Sequence, residues 1–205
     1  MNELTADNLH LWRGEQHVLR GVCFELHGGQ CLQVTSANGA GKTTLLRALC
    51  GLVPLEAGKV HWRGHDVAVD PAAFHAQIDY LAHDNGLKAD LTATENLRFA
   101  VRLRRRAQSA EISAALARAG VADCATALLR RLSAGQRRRV ALARLLLSGG
   151  ALWVLDEPTS NLDQRGQALL GELLERHLAD GGAAVVATHQ ALTLPVTKLL
   201  SLALQ

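Results

Sequence analysis

Residues Cys31 to Leu52 read CLQVTSANGAGKTTLLRALCGL, and the rest of the chain is organised around this stretch. Leu32, Val34 and Thr35 form a short β-prone run, and Ser36 to Gly41 follows as a glycine-containing loop. From Lys42 onward Leu45, Leu46, Leu49 and Leu52 recur at helical spacing. The reading is strand, loop, helix. The loop matches the phosphate-binding pattern G-x-x-x-x-G-K-[ST] at every fixed position but the first, where Ser36 stands in place of glycine. Successive backbone N–H groups must face inward to surround a polyphosphate, and glycine lets the backbone bend and approach closely. The helix that follows points its positive end at the same anion. Ser36, Ala37, Asn38, Gly39, Ala40, Gly41, Lys42, Thr43 and Thr44 are therefore the expected contacts of a bound ATP. Lys42 supplies a point charge for the β- and γ-phosphates. The Thr43 hydroxyl is placed to ligate Mg²⁺, which takes few protein ligands and keeps several waters. Ser36 carries a β-carbon, so weaker or repositioned phosphate contact is expected there. A structural turn before a buried helix is the alternative for such a loop standing alone.

At 205 residues the chain suits one domain, or one domain with a small lobe. Its 48% hydrophobic content is enough for a sizeable core. A net charge of +3 is too small to argue for nucleic acid. Cys23, Cys31, Cys50 and Cys124 show no C-x-x-C spacing and read as buried thiols in a reducing compartment. The N-terminal stretch MNELTADNLHLWRGEQ is polar and unlike a signal peptide. No run approaches the roughly 18 apolar residues of a membrane-spanning helix. The expected location is the cytosol, or a membrane surface reached through a partner.

Along the chain, Leu9 and Leu11, then Val22, Phe24 and Leu26, then Leu32 and Val34 suggest three short strands, with a turn at Gly28-Gly29. Trp12 lies in the first of them and either packs or stacks on an adenine. Val60–Trp62 and His65–Val69 suggest a further hairpin, Pro71–His75 a short helix, and Ile78–Ala82 a buried strand. The polar turn His83-Asp84-Asn85-Gly86 follows. Thr92-Ala93-Thr94-Glu95 forms a capping box for a helix carrying Leu97 and Val101. Arg102, Arg104, Arg105 and Arg106 cluster near its end, as a solvated face or as a contact for anionic lipid or a partner. A second helix runs from Glu111 to Ala119 and stops at Gly120. These segments predict a helical lobe at 85–131 set into an α/β core formed by 1–84 and 132–205.

Ser133 is placed to cap the next helix, which carries Val140, Leu142, Leu145 and Leu146. Residues 151–155, ALWVL, are the continuous apolar run of a central parallel strand, ending at Asp156-Glu157. Carboxylates at that end of a parallel strand sit where ligands bind in α/β sheets. Gly166–Leu178 reads as an amphipathic helix, Ala183–Ala187 as another buried strand ending at Thr188-His189, and Lys198–Leu204 as a final strand.

In combination these segments resemble the nucleotide-binding subunit of an ATP-binding cassette (ABC) transporter over essentially the whole chain. The motifs stand in that family's order: the phosphate loop at 36–43, LSAGQ at 132–136 followed by RRRVALAR, VLDEP at 154–158, SNLD at 160–163, and His189. The resemblance implies a phosphate-loop NTPase fold of the ABC type, with an N-terminal antiparallel β subdomain and an inserted helical lobe. It further implies that Asp156 joins Thr43 in holding Mg²⁺, that Glu157 activates the attacking water, and that His189 contacts the γ-phosphate. Ser133, Gly135 and Gln136 would then face the ATP of a second copy across a head-to-tail dimer. The family's usual glutamine after strand 78–82 is replaced here by His83, or by Asp84 in another register. His83 is accordingly a candidate catalytic residue.

Within the family, His83, GLKADLTATENLRF (86–99), LSAGQRRRVALARL (132–145), LWVLDEP (152–158) and ATHQAL (187–192) resemble the ATPase of haem-handling transporters in bacterial cytochrome c maturation. That resemblance implies a peripheral position on the cytoplasmic face of the inner membrane. It implies membrane partners resembling CcmB, CcmC and CcmD, and release of the haem-loaded chaperone CcmE on ATP hydrolysis. The alternatives are an ABC ATPase for another exported substrate, and a soluble cassette outside transport.

Overall fold

The computed structural model describes residues 2–37, 39–192 and 194–204. Two sheets build it. Strands β1 (Asn2–Arg13) and β2 (Gln16–His27) form a long antiparallel hairpin. With β4 (Ala57–Trp62) and β5 (His65–Asp66) they make a four-stranded antiparallel sheet in the order β2-β1-β4-β5. Strands β3 (Cys31–Thr35), β6 (Ile78–Leu81), β7 (Leu152–Asp156), β8 (Ala183–Ala187) and β9 (Leu199–Ala203) form a parallel sheet in the order β6-β7-β8-β3-β9.

The N-terminal strands are longer than the sequence pattern suggests. Leu4 and Ala6 are buried, and so are Leu9 and Leu11, which breaks strict alternation. The cause is a bulge: the pairing register shifts between Ala6 and Leu9, and Asn8 takes a positive φ of 50°. One extra residue resets the inward face, so two alternating runs belong to one strand. Conversely, β5 is only two residues long. Val69, read as part of that hairpin, is 83% exposed.

Strands β7 and β8 are buried at every position, as apolar parallel strands covered on both faces should be. Helix α1 (Lys42–Leu49) packs on one side of them and α6 (Gln164–Ala179) on the other. A short helix, α2 (Pro71–His75), leads into β6.

Helices α3 (Ala93–Arg102) and α4 (Ser109–Arg118) form the lobe with α5 (Ala134–Ser148). Thr92 and Glu95 make the expected capping box on α3, and Ser133 and Gln136 make another on α5. Caps of this kind are worth about 1 kcal/mol each. Helix α5 serves two cores. Val140, Ala143 and Leu147 pack with Leu97, Val101, Ile112 and Leu116 of the lobe. Ala141, Leu142 and Leu145 pack with Trp153, Leu155 and Val186 of the parallel sheet.

The arginine cluster is not simply a solvated face. Arg104 pairs with Asp79 at 2.9 Å and also donates to the Ile78 carbonyl. Arg105 donates to the Leu147 carbonyl and pairs with Glu111 at 2.7 Å. These bonds tie α3 to the sheet and to α5. The cysteines also depart from expectation: Cys31 and Cys50 are buried, Cys124 is partly buried, and Cys23 is exposed. All four are free thiols. No helix among the described residues is long and apolar enough to cross a membrane.

Candidate functional site

Strands β3, β7 and β8 lie side by side and parallel, so their C-terminal ends open on one edge of the sheet. That edge is where ligands bind in open α/β sheets. The phosphate loop leaves β3, Asp156 and Glu157 leave β7, and Thr188 and His189 leave β8. A cavity of about 480 Å³ lies there, lined by Gly39, Gly41, Lys42, Thr43, Thr44, His83, Asp156, Glu157 and His189. Arg13 and Ser160 complete its rim. A second cavity of about 420 Å³ opens around Trp153 and His177 at the opposite ends of the strands. The first is the functional candidate because the loop amides, one lysine and two carboxylates converge on it.

The loop needs its glycines. Gly39 and Gly41 have φ of 83° and 99°. A β-carbon at 41 would lie 2.5 Å from Val18 Cγ1, because the end of the β1–β2 hairpin packs over the loop. Ser36 is not among the positive-φ residues, so serine is accommodated there without left-handed strain. Its hydroxyl donates to the Ala37 carbonyl at 2.9 Å, and its own carbonyl accepts from Lys42 Nζ at 3.3 Å. Ala40 N–H closes a turn on the Ala37 carbonyl. Asn38 lies outside the described residues.

Lys42 is buried at 8% exposure, with its ammonium turned into the cavity. It stands 2.9 Å from His189 Nε2 and 3.8 Å from Glu157 Oε1. An ammonium only donates, so His189 Nε2 is the acceptor and the ring proton resides on Nδ1. Nε2 then has no proton to give Glu157 Oε1, which lies 3.3 Å from it. Glu157 Oε1 is buried and makes no hydrogen bond among the described residues. It is a carboxylate oxygen held ready for a donor such as water.

Thr43 Oγ1 donates to Asp156 Oδ2 at 2.8 Å, which brings two hard oxygen ligands to one point. Asp156 is 1% exposed. Oxygen donors of this kind, supplemented by phosphate oxygens and water, fit Mg²⁺.

Glu157 has φ of 45°, a left-handed conformation costing roughly 1–2 kcal/mol for a residue with a β-carbon. Its backbone is held on both sides: the N–H donates to the Ala187 carbonyl at 2.8 Å, and the carbonyl accepts from Arg138 Nη2 at 2.7 Å. Arg138 carries no role in the sequence reading. The signal was available, since it shares the buried stripe of α5 with Ala141, Leu142 and Leu145. A charged residue on such a stripe needs polar partners inside.

Other expected residues sit apart from the cavity lining. Trp12 is 40% exposed, with one ring face stacked on His17 at a centroid distance of 3.6 Å. Its neighbour Arg13 reaches the rim. Ser133, Gly135 and Gln136 do not line the cavity. The Gln136 side chain accepts from the Ser133 N–H and donates to Cys124 Sγ, so it is committed to the cap and the lobe.

This fold, with a phosphate loop facing an Asp-Glu strand end and a histidine, defines a nucleotide-binding cassette. The chain belongs to the ABC transporter family, whose model matches residues 19–160. Within it the chain is similar to the cytochrome c biogenesis ATP-binding export protein CcmA of Methylococcus capsulatus, 49% identical over 190 residues and 92% of each chain. The CcmA of Cupriavidus pinatubonensis is 45% identical over 92% of this chain and 84% of its own. Among solved structures, a bacterial Atm1-family ABC exporter with ATP bound superposes with a TM-score of 0.85. Its identity is 26%, covering 98% of this chain and 37% of the exporter.

Proposed function

We propose that the chain is the ATP-hydrolysing subunit of a membrane ABC complex for cytochrome c maturation. The observation that carries the reading is the convergence of Lys42, Thr43, Asp156, Glu157 and His189 on one cavity. Similarity to CcmA proteins along nearly the whole chain supplies the pathway.

In this reading the loop amides and Lys42 bind the phosphates of ATP, and the α1 N-terminus adds its positive end. Glu157, whose Oε1 makes no hydrogen bond among the described residues, accepts the proton of the attacking water. His189 contacts the γ-phosphate, and Lys42 offsets charge developing on the equatorial oxygens. Thr43 and Asp156 would hold Mg²⁺, which neutralises phosphate charge when bound. His83 on the cavity wall takes the place of a glutamine and helps orient the water. Trp12 stacks on the adenine with the ring face away from His17.

Ser133 and Gly135 lie at the N-terminus of α5, outside their own chain's cavity, and act on the ATP of a second copy in a head-to-tail dimer. The helical lobe at 85–131 and the His83 segment face the membrane partners. These resemble CcmB, CcmC and CcmD, and the cycle releases haem-loaded CcmE. The chain thus sits peripherally on the cytoplasmic face of the inner membrane.

The test is Glu157→Gln in the full chain. ATP binding, read by equilibrium titration, should persist while hydrolysis falls by about 10² or more, and ATP-bridged dimers should accumulate on sedimentation. His83→Ala should lower the rate more than the affinity in the same assays. Undiminished hydrolysis by Glu157→Gln would remove the proposed base.

A further inference from the structure

Arg138 is 1% exposed, and no salt bridge pairs it with a carboxylate among the described residues. Its guanidinium instead gathers backbone carbonyls and one side-chain amide oxygen. Nε donates to Pro158 O at 3.2 Å, and Nη2 donates to Asp156 O at 2.9 Å and Glu157 O at 2.7 Å. Nη1 donates to Ala82 O at 3.0 Å, His83 O at 3.5 Å and Asn85 Oδ1 at 2.9 Å. One side chain of α5 thereby bolts together the strand end that carries Glu157 and the segment that carries His83.

The geometry points to Arg138 as a positioning residue: it holds Glu157 and His83 in register with each other and with α5, the helix whose first turn carries Ser133 and Gly135. This rests on Glu157 being the base of the proposed reaction. Glu157 needs such a clamp because its left-handed backbone would otherwise relax toward negative φ and turn the carboxylate out of the cavity. The bond from Arg138 Nη2 to the Glu157 carbonyl opposes that relaxation directly.

The same bonds couple distant parts. Movement of α5, which packs against both the lobe and the sheet, is transmitted to the backbone at 82–83 and 156–158 together. A second copy docking on Ser133 and Gly135 would therefore act on the water-activating carboxylate through the Arg138 side chain, on the same helix. Lysine cannot substitute: a compact ammonium has three donors, against five in a fixed planar fork. Burial holds the Arg138 guanidinium down to about 10, with Asp156 and Glu157 opposing the shift, so the charge is intact at neutral pH.

The experiment compares Arg138→Lys and Asn85→Ala with wild type in the full-length chain, each alone and combined with Glu157→Gln. Arg138→Lys should lower kcat by about tenfold to a hundredfold, as sub-ångström to ångström misplacement of a reacting group does. ATP affinity should stay within about threefold, because Lys42 and the loop are untouched. Asn85→Ala, which removes one acceptor and leaves the cation, should lower kcat by a smaller factor with the same unchanged affinity. In the Glu157→Gln background either change should add less than about twofold, since the group being positioned is already gone. A folded Arg138→Lys with kcat within twofold of wild type overturns the inference, as does a loss that multiplies fully with Glu157→Gln. Equal losses of kcat and ATP affinity would mean a general structural role and overturn it too. Should Glu157→Gln itself leave hydrolysis intact, the assignment of the base fails instead, and the two failures stay distinct.

Discussion

At the scale of single residues, Gly41 shows how tightly chemistry and packing constrain one position. Its φ of 99° is unfavourable for any residue with a β-carbon, and Val18 already occupies the space such a carbon would need. Gly41→Ala must therefore push the hairpin end away or distort the loop beside Lys42. We expect ATP affinity to fall by about tenfold or more, equivalent to about 1.4 kcal/mol, on calorimetric titration. Gly171→Ala is the matched control: a β-carbon there meets nothing within 4 Å. Because alanine stabilises a helix interior by roughly 0.5–1 kcal/mol relative to glycine, that variant should melt slightly higher and bind ATP unchanged. Equal affinities for wild type and Gly41→Ala would show that the loop conformation does not govern binding.

At the scale of elements, α6 joins the sheet through His177. The ring stacks on Trp153 of β7 at 4.0 Å, and Nε2 lies 3.0 Å from the Ala183 carbonyl at the start of β8. A carbonyl only accepts, so Nε2 carries a proton. Burial lowers the pKa of His177, against smaller opposing effects of the Ala183 carbonyl, Asp79 and Asp180. The sign follows from linkage. The folded value lies below the unfolded value of about 6.5, so this stability is complete above about pH 6.5 and is lost as pH falls through the lowered value. The thermal midpoint of wild type should therefore drop more between pH 7 and pH 5 than that of His177→Phe, which keeps the stacking and cannot protonate. Parallel pH profiles for the two would show that His177 does not carry this linkage.

The whole molecule decides which thiols react. Burial raises Cys31 and Cys50 to about 12, where the thiolate is essentially absent at neutral pH. Cys23 is exposed on β2. A maleimide pulse on the native chain should label Cys23 first and leave Cys31 and Cys50 unmodified until the chain is denatured. Mass spectrometry of the digested protein reads this directly, and early labelling of Cys31 would contradict the burial of β3.

What the sequence determined by itself is whatever closes within a few residues. The strand, loop and helix at 31–52 were readable because the loop's requirement for small residues and a lysine is local. The capping boxes at Thr92–Glu95 and Ser133–Gln136 were readable because each closes within one helical turn. The β1 bulge escaped because one inserted residue inverts the alternation that marks a strand. The family resemblance implies that Thr43 joins Asp156 and that Lys42 and His189 share the γ-phosphate, but no local pattern carries the direct contacts, which only the tertiary structure decided: Thr43 reaches Asp156 across 113 positions, and Lys42 reaches His189 across 147. Those meetings depend on the strand order β7-β8-β3, set by how the whole sheet buries its two faces. Arg138 stands for the rest. Between two other arginines its sequence looks like a solvated run, and only its spacing to Leu142 and Leu145 hints at the buried stripe; the packing of α5 against both cores turns that one side chain inward, where backbone carbonyls from distant loops and Asn85 Oδ1 satisfy it.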